Sequence, residues 1–147
     1  MRIFTLCSLI LISTNFFAQS LKIDVEWDGE KSYTLGGNTF VVPETKNFKN
    51  NFSYGDYFRI TMQWDSDKII DDSSVVISNI LYEDFDLNPY SGLQNINFNN
   101  NINVRFNSSI SKRKIFSFLE LDPIIFENGV YKKVKSFEIS YRYSSNV

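Results

Sequence analysis

Residues 114–143 read KIFSFLELDPIIFENGVYKKVKSFEISYRY, and the fold follows from how this stretch is parsed. KIFSFLEL (114–121) is dense in aromatic and aliphatic side chains, as expected of a strand buried on both faces. Asp122-Pro123 interrupts it, because proline has no N–H to give a ladder and restrains the residue before it. IIFE and VYKKV then flank Asn128-Gly129, a pair that tolerates positive φ and suits a two-residue hairpin turn. Further on, Phe137, Ile139, Tyr141 and Tyr143 alternate with Ser136, Glu138, Ser140 and Arg142. One face of that last strand is core and the other is wet. Three strands lie on one thread, and the remaining chain must extend this sheet or stack on it.

Upstream, residues 57–64 keep the same period: Phe58, Ile60, Met62 and Trp64 on one face, Tyr57, Arg59, Thr61 and Gln63 on the other. Ile23, Val25 and Trp27 alternate likewise with Lys22, Asp24 and Glu26, and Asp28-Gly29 is a turn signal after them. Tyr33-Thr34-Leu35 reads as a short partner strand, Gly36-Gly37-Asn38 turns again, and residues 39–42 form a run closed by Pro43. Residues 44–55 are polar and read as an ordered loop pinned by Phe48, Phe52 and Tyr54. Residues 65–72 form an acidic loop, 74–82 a strand, and 83–93 a turn-rich connection around Pro89 and Gly92. Residues 95–103 are rich in Asn, which suits turns and weakens strands. Ile102, Val104 and Phe106 then alternate with Asn103 and Arg105, and 108–113 read as a polar turn. No long 3.6-residue period and no capped amphipathic helix is present. Eight or nine short strands between turn signals predict an all-β chain: a single-domain antiparallel β-sandwich or jelly roll.

The first 18 residues read as a secretory signal peptide. Arg2 supplies the positive start, residues 3–12 an apolar run, and Ala18 a small residue before a cut between Ala18 and Gln19. A cut after Ser20, with Ala18 three positions back, is the alternative. The run is shorter than the ~20 apolar residues that a membrane-spanning helix needs, and no later stretch reaches that length. The expected mature domain is 19–147, exported and with no transmembrane helix after the leader is removed. Cleavage takes away Cys7, the one cysteine, so stability must come from the core and not from disulfides. With 15 basic and 17 acidic residues, the chain has no concentrated positive charge for nucleic acid.

The residue inventory excludes much chemistry. There is no His, and the only Cys lies in the expected leader, so Cys-His and Ser-His-Asp catalysis have no members to work with. Zinc sites of the usual nitrogen and sulfur ligands are excluded on the same ground. No Gly-rich phosphate loop is present, and no cofactor motif. Asp65, Asp67, Asp71 and Asp72 have the right chemistry for a hard cation but match no complete calcium loop, and a solvated acidic loop is the reading kept. Glu83, Asp84 and Asp86 are read the same way. A facing carboxylate pair can hydrolyse a glycosidic bond, but sequence places no two of these acids across a substrate. Trp27, Trp64 and the tyrosines offer a sugar-stacking platform, yet both tryptophans fall on the apolar face of an alternating strand, which favours the core. Lys112-Arg113-Lys114 is a short basic run of the solvated kind. Asn51-Phe52-Ser53 and Asn107-Ser108-Ser109 match the glycosylation sequon. No catalytic and no metal-binding residue is assigned.

The chain resembles the N-terminal region of the type IX secretion system sortase, a cell-surface member of the gingipain family of cysteine peptidases. LDPIIFENGVYKKVKSFEISY (121–141) carries the resemblance, supported by Trp27, Val42-Pro43, Tyr54-Gly55 and a strand ending in Trp64. The leader's closing Phe-Ala-Gln (17–19) fits too. The likeness is loose over 65–107. It implies a β-rich non-catalytic domain preceding a caspase-like catalytic domain that holds a His-Cys dyad. The family cleaves C-terminal sorting signals and transfers cargo to an anionic lipopolysaccharide. The family sequence would continue where this chain stops at Val147, so no catalytic residue carries over, and the chain is expected to be a fragment or a stand-alone homologue. Its implied partner is a catalytic domain or another secretion-system protein, at the outer membrane, cell surface or periplasm. The missing partner should leave an apolar patch on one face. The competing reading is a stand-alone secreted module that binds carbohydrate or protein.

Overall fold

Within residues 19–145, which the computed structural model describes, the chain forms ten strands and one 3-10 turn at Asp72–Ser74. The strands are β1 (Gln19–Asp24), β2 (Trp27–Leu35), β3 (Asn38–Thr45), β4 (Lys49–Ser53), β5 (Tyr57–Ser66), β6 (Val76–Asp84), β7 (Val104–Ser111), β8 (Lys114–Leu121), β9 (Ile124–Glu127) and β10 (Val130–Tyr141). All pairings are antiparallel. One sheet is built on β10, with β6 on one flank and β1 and β9 end to end on the other. A second runs β4-β5-β8-β7, and β2 and β3 form a separate hairpin. The chain is thus an all-β sandwich. The expected leader, with Cys7 and Ala18, lies outside the described residues; Gln19 opens β1 opposite Tyr141.

The core is where the two alternating strands meet. Phe58 and Ile60 on β5, Leu119 and Leu121 on β8, and Phe137 and Ile139 on β10 are all buried. Each such side chain contributes about 1.5–3 kcal/mol by leaving water. Buried Ser117 sits among them, its hydroxyl 2.9 Å from Ser66 Oγ and 3.4 Å from Ser108 Oγ. The turn at Asn128-Gly129 forms as the sequence predicts, both residues at positive φ (52° and 79°).

Several boundaries differ from the sequence reading. Asp28 and Gly29 do not turn the chain but form a bulge inside β2, two residues opposite the single Glu44 between the pairs Trp27–Thr45 and Glu30–Pro43. The positive φ of Gly29 serves a bulge as well as a turn. Residues 49–53 of the expected loop form β4, because Phe52 pairs with Phe58 across the ladder and its ring lies 5.2 Å from Tyr33. The polar turn expected over 108–113 shrinks to Lys112-Arg113, both at positive φ, and β7 runs on to Ser111. β8 is buried on one face only: Phe116 and Phe118 remain half-exposed on the outer side of its sheet. The 83–93 connection docks on β3 at Gly92, whose N–H donates to Val41 O at 2.9 Å. A Cβ there would meet Val42 Cγ1 at 2.7 Å, so the approach needs glycine.

Two bulges decide what faces the core in the β10 sheet. Between Val134–Tyr82 and Ser136–Leu81, β10 carries one extra residue. Val134 and Phe137, three apart, are both fully buried as a result. Between Ser136–Leu81 and Glu138–Ser78, β6 carries the extra residue, with Asn79 at φ 49°.

Candidate interaction surface

The acidic residues singled out in the sequence do not converge. Asp71 caps the 3-10 turn, its Oδ1 accepting from Ser73 N at 3.1 Å and from Ser73 Oγ at 2.6 Å. Asp65 lies on β5 opposite Phe116. Glu83 pairs with Lys133 at 3.5 Å, and Asp86 accepts from Asn88 N at 3.0 Å. Among the described residues, no three His, Cys, Asp or Glu come together as a metal-holding group. No described helix is long and apolar enough to cross a membrane.

The tryptophans do not make a surface platform. Trp27 is half-buried, packed between Phe58 (6.4 Å) and Phe85 (6.5 Å), and its Nε1 donates to Val134 O at 2.8 Å. Lys133 Nζ covers its ring at 5.3 Å. Trp64 packs on Phe106 at 6.0 Å. Asn51 and Asn107 of the two sequons are exposed on β4 and β7. Lys112 and Arg113 form the tip of the β7–β8 hairpin.

The open side of the sandwich is more informative. β6 ends one sheet and β7 ends the other, and neither has a strand on its outer flank among the described residues. Between them runs an apolar groove with about 750 Å³ of open space. Ile77 and Ile80 of β6, Val104 and Phe106 of β7, Ile102 and Val75 line it, with Asp72 at its rim. All six apolar side chains are half-exposed except as they touch the core behind them. Strict alternation would send Ile77 and Ile80 to opposite faces; the bulge at Asn79 turns both into the groove. Ile102, Val104 and Phe106 are legible in the sequence as one face of an alternating strand. Their pairing with β6 across the open side is not.

The other face of the same stretch is polar. Asn101, Asn103 and Arg105 line a second concavity together with Asn97, Asn99 and Tyr57, with about 550 Å³ of open space. Arg59 and Arg105 share Glu120 and Asp122 on its wall. Arg59 Nε meets Asp122 Oδ1 at 3.1 Å, and Arg105 Nη1 meets Glu120 Oε1 at 3.4 Å and Asp122 Oδ1 at 3.6 Å. The register explains the grouping, since Arg105 faces Glu120 across β7–β8 and Glu120 faces Thr61 across β8–β5, two residues from Arg59 and on the same face. The Arg59 guanidinium also lies 4.1 Å over the Tyr57 ring.

No protein-family model matches this chain, and no curated protein does. Among solved structures it is similar to one concerned with the zymogenic latency of gingipain K from Porphyromonas gingivalis. The TM-score is 0.46 at 11% identity, over 86% of this chain and 100% of that one. At that level the likeness is weak and carries no argument for fold or function.

Proposed function

We propose that this chain is a non-catalytic β-sandwich domain that docks on a partner protein through the apolar groove between β6 and β7. One observation carries the reading: two free sheet edges share a groove lined by six apolar side chains. Apolar side chains in the walls gain by being covered, and the unpaired strand edges offer a partner backbone hydrogen bonds. Covering each half-exposed Ile or Phe contributes about 1 kcal/mol, part of the 1.5–3 kcal/mol of full burial. The absence of His and the single Cys at position 7 support a non-catalytic role.

The sequence resemblance at 121–141 supports a finer reading. The domain belongs to an exported protein of the type IX sortase kind, and the groove receives that system's catalytic domain or another of its proteins. In this reading residues 1–18 direct export, the cut falls between Ala18 and Gln19, and the domain works at the cell surface or outer membrane.

Native protein from the producing cell tests this. An antibody against residues 19–147 should find it in the outer-membrane or surface fraction. Amide hydrogen exchange then compares that native material with the isolated chain. Slower exchange over 77–82 and 104–109 in the native material is expected. Equal exchange in both would remove the docking role from the groove.

A further inference from the structure

We infer that the polar pocket on the opposite face of residues 101–105 binds an uncharged saccharide. The site is independent of the docking groove and does not need it to be occupied.

The Asn-rich tract is tied down rather than loose. Phe126 N donates to Asn99 O at 2.9 Å, and Asp122 N donates to Asn103 O at 3.0 Å. Ile96, Phe98, Ile102 and Val104 pack against the core, which turns the intervening amides outward. Asn97, Asn99 and Asn103 are exposed, line the pocket, and have no side-chain partner among the described residues.

Several other asparagines of this chain are used by the fold. Asn47 donates to Asp24 O at 2.6 Å and accepts from Glu26 N at 3.0 Å. Asn50 donates to Pro43 O at 2.8 Å and accepts from Thr45 Oγ1 at 3.2 Å. Asn79 donates to Glu138, and Asn95 to the Tyr54 hydroxyl. Those amides are committed to the fold. The three in the pocket keep their hydrogen-bonding capacity, and they keep it in one place.

The pocket wall sets the class of ligand. Two guanidinium groups are held against two carboxylates, with Arg59, Glu120 and Asp122 side chains only 26%, 24% and 23% exposed. The charges offset, and Asp56 adds a further carboxylate at the rim, so an anion gains nothing by entering. What remains is a set of oriented donors and acceptors without net positive charge. A carboxamide offers both a donor pair and an acceptor, which matches a hydroxyl that does both. Tyr57 and Phe98 also line the pocket and supply aromatic carbon against which the apolar face of a sugar can rest.

The test uses the whole protein with four neutral probes, maltotriose, cellotriose, mannotriose and chitotriose, and sialyllactose as the anionic probe. Calorimetry measures affinity, and NMR follows the side-chain amide signals. At least one neutral probe should bind with Kd below about 5 mM and shift the signals of Asn97, Asn99 and Asn103. The N97A/N103A double variant should bind at least about tenfold more weakly, with Tm unchanged because neither amide has a partner to lose. Three results overturn the inference: no neutral probe binds, binding survives the double variant, or sialyllactose binds better than all neutral probes.

Discussion

Residues 101–106 carry two surfaces that differ in everything but their backbone. Ile102, Val104 and Phe106 look into the groove beside β6; Asn101, Asn103 and Arg105 look into the polar pocket beside β5 and β8. The spacing between the two sets is one residue, because a strand sends successive side chains to opposite faces. On the apolar side, any partner that excludes water gains, and direction matters little. On the polar side, only a ligand that meets fixed donors and acceptors gains. One strand can therefore serve a broad protein contact and a selective small-ligand contact without either constraining the other.

That contrast can be broken by substitution. The largest effect belongs to the core behind the groove. Leu121 is fully buried and paired with both Ile60 and Val104, so Leu121→Ala should cost about 2–5 kcal/mol in urea unfolding. Phe106→Ala, on the half-open groove, should cost less, about 2 kcal/mol, through loss of its packing on Trp64. Equal costs at the two positions would mean that the groove is closed core and not a surface.

On the polar side the expected effects shrink. Asp122→Ala leaves Arg59 and Arg105 to share Glu120, in a network whose members are 24–40% exposed. The loss should be about 1 kcal/mol, falling as salt is raised. Alkaline pH probes the β6 side. Burial first, and then the Glu127 carboxylate, raise the Tyr82 phenol above its ordinary value of 10.0. The native state favours the neutral phenol, so this stability is fully present below the unfolded value and is lost as pH climbs through the raised native one. Tyr82→Phe should flatten the fall in Tm over that range. The smallest effect is Asn103→Ala, within about 0.5 kcal/mol of wild type in the same unfolding assay. A larger cost there would show that the amide belongs to the fold and would remove it from the ligand site.

Much of the architecture was legible in the residues themselves. The alternation of 57–64 and of Phe137, Ile139 and Tyr141 marked two of the strands that meet in the core, and Asn128-Gly129 announced its hairpin. The misreadings share a cause. Gly29 and the pair Lys112-Arg113 take positive φ, and that backbone state serves bulges, hairpin ends and loops alike. Residues 49–53 carry too few apolar side chains to show a period, and their strand exists because β5 was free to pair with it. The Asn-rich tract read as turn material, since isolated asparagines favour turns; here Phe98 and Ile102 anchor it and leave its amides in a row.

The sequence by itself determined an all-β sandwich, the absence of histidine chemistry, and the two-faced character of residues 102–106. These follow from side-chain type and a period of two, which are local. Only the tertiary structure decided that β6 and β7 both end their sheets, that the bulge at Asn79 points two isoleucines at the same groove, and that Arg59, Arg105, Glu120 and Asp122 meet on one wall. Those depend on strand order and register between segments far apart in the chain; Arg59 and Asp122 alone are separated by 63 residues. Register is set by the packing of the whole core, and no single strand's pattern contains it.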